Sequence, residues 1–223
     1  MDSEELPLEA LEGAEDLNFE GIFSKEMVDS WTPSEDIDWS QEIQVSGEER
    51  EALGDAATQF YYSNISHLML CGRLLENGRD MRTKKLALFL AFSKMRNIEV
   101  FGRYLGKVSA EAEVAPYTKE YFSKMSENDL GILLPDMGVL GGTVGYGVLD
   151  FLKDAGDPLF AEIAEKVGEQ KRENEEVLVD YLQDALSQTS EEELDKIHDQ
   201  ASFYRDRSEK IVLYHGDLFK TLG

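Results

Sequence analysis

The chain has 223 residues, of which 42% are hydrophobic, so it is long enough to bury a core of its own. No uncharged apolar run reaches the roughly 18 residues that a membrane span needs, and we expect no membrane-spanning segment. Asp and Glu number 46 against 22 Lys and Arg, which gives a formal net charge of -24. Such a field repels phosphate backbones and anionic lipid, which argues against nucleic acid and membranes as partners.

The acidic surplus suits either a salt-rich cytoplasm or a basic partner protein, and composition does not choose between them. Met1 is followed by acidic residues and not by the basic and then apolar pattern of a secretory signal. Cys71 is the only cysteine, which excludes an intramolecular disulfide and a cysteine-rich zinc site. We therefore expect a cytoplasmic protein in a reducing compartment.

Residues 1–45 are acidic and poorly periodic, whereas residues 46–223 carry helical periodicity. We predict an N-terminal arm followed by one helical domain. Trp31 and Trp39 lie in the arm, and leaving two indole rings in water is unfavourable. We expect both rings to pack on the helical domain or on a partner, and packing within the chain is the simpler arrangement.

Apolar residues at helical spacing predict an all-α fold. Ser46 with Glu49 forms a capping box, and Asp157 with Pro158 provides an N-cap and a first-turn proline. A glycine-rich apolar stretch is predicted to be a buried helix, with a strand as the competing assignment. Five main helices are predicted over residues 46–76, 82–107, 129–155, 157–187 and 190–220, with a short helical segment over 116–125. Short links between long helices are typical of a helical bundle.

Polar residues stand where these helices should face the core. Lys94 and Asn97 occupy the apolar seam of the second helix, and Lys171 and Asn174 repeat the same Lys-x-x-Asn pattern in the helix over 157–187. Asn64 lies on the seam of the first helix. Gly138 lies on that of the glycine-rich helix. Two of these helices thus supply one polar or glycine position each, and the other two supply an i, i+3 pair each. A di-iron carboxylate centre in a four-helix bundle has the same layout.

Residues 93–105, SKMRNIEVFGRYL, resemble the helix Asp-Glu-Ala-Arg-His-Val-Glu-Val-Phe-x-Arg-Tyr-Leu of the ferritin-like proteins related to ribonucleotide reductase small subunits and diiron oxidases. Residues 170–174, QKREN, resemble their second Asp-Glu-x-x-His motif, and residues 60–64 resemble a Phe-x-x-Gly-Glu segment. Residues 138–146 resemble Glu-Gly-Val-Leu before Gly-Tyr, and residues 31–39 are similar to the segment that leads into the bundle.

The resemblance implies a ferritin-like four-helix bundle with additional helices and an N-terminal arm. It places the family's metal ligands on Asn64, Lys94, Asn97, Gly138, Lys171 and Asn174, with Asp136 as the second choice for Gly138. No aligned position keeps the glutamate or histidine of the pattern. A lysine ammonium has no lone pair and repels a divalent cation, so we expect no metal and no cofactor. His67, His198 and His215 belong to no Glu-x-x-His pair and are predicted to be packing or surface residues.

Two buried ammonium groups in one layer repel each other, so they need carboxylates, solvent or loss of a proton. The candidate counter-ions are Glu99, Asp136, Glu173 and Glu175. If these carboxylates form ion pairs with the two lysines, the buried lysines have a structural and not a catalytic role. Alternatively, Tyr61, Tyr62 or Tyr146 could carry a radical, or Lys94 or Lys171 could act as an amine nucleophile or base.

We therefore expect a metal-free ferritin-like pseudoenzyme, a non-catalytic or structural subunit that forms a homodimer or a heterodimer with an active paralogue. Helix faces and the arm with its two tryptophans would make the contact. The alternative is an oxidoreductase of the ribonucleotide reductase small-subunit type that uses metal-independent tyrosyl radical chemistry. A third hypothesis is an interaction module with a small-molecule cavity beside the glycine-rich helix.

Overall fold

The computed structural model describes residues 31–78, 80–109, 113–116, 118–120, 141–154, 156–192 and 194–195, together with positions 210, 216, 220 and 221. Helix dominates these residues and no strand occurs among them, so the predicted all-α class is confirmed for this part of the chain. None of the described helices combines the length and the apolar character that crossing a bilayer requires.

Four helices have described bounds. They are α1 at Gly47–Asn77, α2 at Met81–Val108, α3 at Gly141–Leu152 and α4 at Pro158–Ser187. The predicted bounds of α1, α2 and α4 are confirmed to within one residue, and the described part of the glycine-rich stretch is helix and not strand. The predicted segments 116–125 and 190–220 fall mostly outside the described residues, although positions 116, 118–120, 191–192 and 194–195 are helical.

The helix starts follow local chemistry only in part. The Asp80 side chain caps α2 by accepting a hydrogen bond from the backbone N–H of Thr83 at 2.7 Å. Ser46 and Asp157 stand at the N-caps of α1 and α4, as predicted, but neither side chain makes a capping hydrogen bond. The predicted capping box of Ser46 and Glu49 is therefore wrong, because exposed Ser46 leaves the first N–H groups of α1 to water.

Two apolar clusters form the described core. The first joins the start of α1, the end of α2, α3 and the start of α4, and the second joins the end of α1, the start of α2 and the end of α4. The buried members that define the first cluster are Ile37, Val45, Leu53, Ala56, Ala57, Val100, Phe101, Tyr104, Val108, Val148, Leu149, Leu152, Leu159, Phe160, Ile163, Ala164 and Val167. Those of the second are Leu70, Cys71, Leu74, Leu86, Ala87, Phe89, Leu90, Leu178, Tyr181 and Leu182. Helices α1 and α2 thus run antiparallel.

Aromatic rings fill the first cluster. Phe60 stacks on Phe101 with ring centroids 5.1 Å apart, and Tyr104 meets Phe160 edge to face at 5.0 Å. Such pairs add to the free energy gained from burying their apolar surface. They join three helices, α1, α2 and α4, at one level of the core.

Residues 31–45 form a strap that lies across α2 and α4. Trp31 and Trp39 pack against the first cluster, and the Arg103 guanidinium lies 5.4 Å from the centroid of the Trp39 ring. The Lys107 ammonium donates to the backbone oxygen of Gln41 at 2.8 Å. Of the two arrangements expected for the tryptophans, packing within the chain is therefore the one observed.

The Asp157 carboxylate ties the strap to two helices. It accepts a hydrogen bond from the Tyr104 hydroxyl at 2.8 Å and one from the backbone N–H of Gln44 at 3.2 Å. Tyr104 is fully buried, and Asp157 is 2% exposed. Burial, followed by the hydrogen bond to Asp157, raises the pKa of the Tyr104 hydroxyl, which therefore stays protonated and acts as a donor.

We predict that Asp157→Ala lowers the free energy of unfolding by about 2 to 3 kcal/mol, because it leaves the buried Tyr104 hydroxyl without an acceptor. Asp154→Ala is the matched control, since Asp154 is exposed in the same loop, and its effect should stay within about 0.5 kcal/mol. Urea unfolding followed by circular dichroism measures both. Equal effects of the two substitutions would contradict this role of Asp157.

Candidate functional site

A polar layer separates the two apolar clusters. Its described members come from α1, α2 and α4 at the depth where one cluster ends and the other begins. We define the polar layer by the residues Asn64, Ser93, Lys94, Asn97, Gln170, Lys171 and Asn174. All are buried except Lys171, which is partly buried. Five of the positions that the resemblance assigns to metal ligands therefore lie in one layer between the packed helices.

Reciprocal hydrogen bonds connect α2 and α4 in this layer. Ser93 of α2 pairs with Asn174 of α4, whose amide nitrogen lies 2.7 Å from the serine oxygen. Gln170 of α4 pairs with Asn97 of α2 at 3.1 Å when its amide is oriented to satisfy both of its ends. On each helix, the residue before the lysine of one Lys-x-x-Asn motif thus binds the asparagine of the other.

The same network continues to α1 and towards the surface. Asn97 donates to the Asn64 side-chain oxygen at 3.1 Å, and Asn64 donates to the backbone oxygen of Phe60 at 2.8 Å. The oxygen of Gln170 accepts from Nε of Arg96 at 2.8 Å and also from its Nη2. A continuous chain of amides therefore links three helices, and buried amides are stable only when they are bonded in this way.

The Lys171 side chain brings a positive charge into this layer. Although Lys171 as a whole is only partly buried, its ammonium lies against Gly145 of α3 and 5.5 Å from the centroid of the Phe60 ring. Burial and then the charge of Lys94 lower the pKa of Lys171 to about 7. Lys94 is itself buried at 8% exposure, and its charge is the second cause of the lowered pKa of Lys171. Near pH 7 the Lys171 amine is divided between its charged and neutral forms.

Gly145 gives the Lys171 ammonium its space. A Cβ atom at this position would overlap the nitrogen of the ammonium. A Cβ at Gly147, two residues further along α3, would meet nothing within 4 Å. The glycine-rich composition of α3, which weakens a helix in isolation, therefore has a local reason at this position.

The counter-ion candidates that the structure describes are three glutamates. Glu99 is exposed and forms an ion pair with Arg103 at 2.6 Å, so its carboxylate serves the surface of α2 and not the lysines. Glu173 is also exposed, and Glu175 is partly buried. Gly138 and Asp136 lie outside the described residues, as does the side chain of Tyr146.

Tyr61 and Tyr62 form an edge-to-face pair with ring centroids 5.3 Å apart. The Tyr61 ring packs beside Gly102, at 3.2 Å from the position that a Cβ would take there. Neither hydroxyl has a hydrogen bond to another described residue. A tyrosine that passes an electron commonly needs a proton acceptor, and the described contacts of this pair are packing contacts.

Cys71 is buried in the second cluster, and burial raises the pKa of its thiol to about 11 even though the nearby charge of Lys94 acts in the opposite direction. A thiol that holds its proton so tightly is a poor nucleophile and a poor metal ligand. Within the described ranges, no three His, Cys, Asp or Glu side chains come close enough together to hold a metal ion. The donor chemistry of the described layer is thus amide, hydroxyl and ammonium.

Sequence reasoning missed Ser93 and Gln170. Each directly precedes a lysine of the repeated motif, and this matched position was the signal that could have revealed them.

No protein-family model matches the chain, and no curated protein or solved structure matches it. The family resemblance therefore rests on the sequence motifs.

We predict that Gly147→Ala raises the free energy of unfolding by about 0.5 to 1 kcal/mol, because alanine favours the helix and meets no neighbour. Gly145→Ala should lose this gain, since its Cβ displaces the Lys171 ammonium. The methionine side chain is one atom shorter than that of lysine, so in the Lys171→Met variant Gly145→Ala should again raise the free energy of unfolding. The wild type, Gly145→Ala, Lys171→Met and the double variant form a double-mutant cycle, and chemical unfolding measures the free energy of each. An equal gain from Gly145→Ala and Gly147→Ala in the wild-type chain would refute the contact.

Proposed function

We propose that this chain is a metal-free ferritin-like bundle that acts as a non-catalytic, structural subunit of a homo- or hetero-oligomer. The observation that carries the proposal is the reciprocal pairing of Ser93 with Asn174 and of Gln170 with Asn97. These bonds occupy the depth at which the sequence resemblance places a metal centre. The two substituted motifs serve one another, which favours a reorganised core over the separate loss of single ligands.

The chemistry of the layer supports a core that needs no metal. Divalent iron binds carboxylate oxygen and neutral imidazole, whereas Lys94 and Lys171 bring ammonium groups that repel it. Two amide oxygens of the layer are engaged within the protein, since Asn64 accepts from Asn97 and Gln170 accepts from Arg96. The network holds three helices together through its own donors and acceptors.

A bonded polar layer between apolar clusters also fixes how the helices align. Sliding α4 by one turn along α2 would separate Ser93 from Asn174 and leave buried amides without partners, at about 1 to 3 kcal/mol for each group. Apolar packing alone tolerates such shifts better, because one leucine can replace another in a contact. A subunit whose role is to present a fixed surface benefits from this constraint.

The α1–α2 pair provides a surface for a partner subunit. Met69 of α1 is 62% exposed and Met95 of α2 is 55% exposed, and both are large apolar side chains. Methionine adapts to irregular partner surfaces, so two exposed methionines support a contact there. The strap uses its tryptophans within the chain, which leaves the helix faces as the candidate contact.

We predict that protein purified from iron-replete cells contains far less than one iron per chain, measured by plasma mass spectrometry. A matched variant with Asn64→Glu, Lys94→Glu, Asn97→His, Lys171→Glu and Asn174→His should bind iron, because it restores the carboxylate and imidazole donors of the family pattern. About two irons per wild-type chain would refute the proposal.

The same metal-free protein should give no signal in electron paramagnetic resonance, whereas a tyrosyl signal would favour the radical alternative.

We predict that Met69→Lys with Met95→Lys shifts the chain towards a smaller assembly, because lysine charge opposes burial in a subunit contact. Leu186→Lys is the control, since Leu186 is 38% exposed but lies at the end of α4. Light scattering during size-exclusion chromatography measures the mass of each variant, alone or with a co-purified partner. An unchanged mass for the double variant would exclude this face as the contact.

A further inference from the structure

The outer face of the α1–α2 pair carries two exposed thioethers. Met69 of α1 is 62% exposed and Met95 of α2 is 55% exposed. Met81, at the start of α2, is partly buried. A methionine sulfur that solvent reaches is also open to peroxide, which converts it to the sulfoxide. Among the methionines that the structure describes, Met69 and Met95 are therefore the ones that an oxidant reaches most readily.

Helix geometry places these two methionines at nearly the same level of the pair. Asn97 donates to Asn64 at 3.1 Å, which fixes the register of the two antiparallel helices. Met69 follows Asn64 by five residues. Met95 precedes Asn97 by two, so at about 1.5 Å per residue the two levels differ by about 4 to 5 Å. At about 3.6 residues per turn, each methionine lies about 140 to 160° around its helix from the core-facing asparagine, and both point away from the polar layer.

The stretch of α1 that carries Met69 is uncharged in a chain of which 30% is charged. Residues 56–72 contain no Asp, Glu, Lys or Arg, although Met69 and Gly72 are exposed. Leu75, further along the same helix, is 37% exposed. A helix face that meets water normally carries charged or polar residues, so this face suits the apolar surface of a partner. A new polar group at Met69 would oppose that contact.

The one thiol of the chain does not compete for the oxidant. Cys71 is buried in the second apolar cluster, and burial raises the pKa of its thiol to about 11. The thiolate is the form of cysteine that reacts, and at this pKa it is scarce near pH 7. The sulfur atoms that peroxide meets on the described surface are therefore thioethers.

We propose that Met69 and Met95 form a reversible oxidation site that controls the subunit contact of the α1–α2 face. In the free chain, hydrogen peroxide transfers one oxygen atom to each thioether. An S–O bond forms and the O–O bond breaks, so that sulfur loses two electrons and the reduced peroxide leaves as water. Each sulfoxide is a polar acceptor, and burying it in an apolar contact without a donor is unfavourable. Assembly covers the same sulfur atoms, so contact and oxidation exclude each other.

This inference rests on the proposed function, because it requires the α1–α2 face to be the subunit contact. The two fail in different ways. If Met69→Lys with Met95→Lys leaves the mass of the assembly unchanged, the contact is wrong and the oxidation site falls with it. If that variant forms a smaller assembly but the wild-type chain oxidised at both methionines keeps its full mass, the oxidation site alone is wrong.

The first experiment measures which methionines react. The diluted full chain is treated briefly with hydrogen peroxide, and peptide mass spectrometry follows the addition of one oxygen atom at each position. Met69 and Met95 should react several-fold faster than Met81, because Met81 is partly buried. Equal rates at the three methionines would overturn the site.

The second experiment measures assembly by light scattering during size-exclusion chromatography, for the chain alone or with a co-purified partner that has not met peroxide. The oxidised wild-type chain should form a smaller assembly, and methionine sulfoxide reductases should restore its mass. Met81→Leu is the matched control and should lose mass under peroxide as the wild type does. Met69→Leu with Met95→Leu removes both thioethers, so its own mass should be the same before and after peroxide. A loss of mass in that double variant would overturn the proposal, because another group would then be the target.

Discussion

The architecture depends on one constraint: three helices must bury polar groups at the same depth and satisfy them with one another. Ser93 with Asn174 and Gln170 with Asn97 meet this constraint across α2 and α4, and Asn64 extends it to α1. Apolar clusters on either side supply most of the driving force for burial. The layer supplies the alignment, because a shift of any helix leaves an amide without its partner.

Like charge sets the second constraint. Lys94 and Lys171 enter a layer that removes water from them, and the described structure responds locally. The Lys171 ammonium faces an aromatic ring, lies on a glycine of α3 and has a pKa lowered to about 7. Burial and like charge thus act together on Lys171.

The strap, residues 31–45, packs against the first apolar cluster, on the side of the core away from the second cluster. Asp157, expected only to cap a helix, instead accepts from Tyr104 and from the backbone of Gln44 and so connects the strap to α2 and α4. Asp157 accepts from the buried hydroxyl and does not cap α4, because a buried hydroxyl without an acceptor costs more free energy than a helix N-terminus that water can reach. Trp31 and Trp39 likewise complete the first cluster.

The sequence by itself determined the all-α class and the bounds of α1, α2 and α4, because apolar spacing, proline and turn residues act over a few neighbouring positions. It also determined that Lys94, Asn97, Lys171 and Asn174 stand on core-facing seams. Only the tertiary structure decided which residues complete the layer, that Glu99 pairs with Arg103 on the surface, and that Asp157 binds Tyr104. Those outcomes depend on groups that are distant in sequence, and the distance and burial that select among competing partners exist only once the helices have packed.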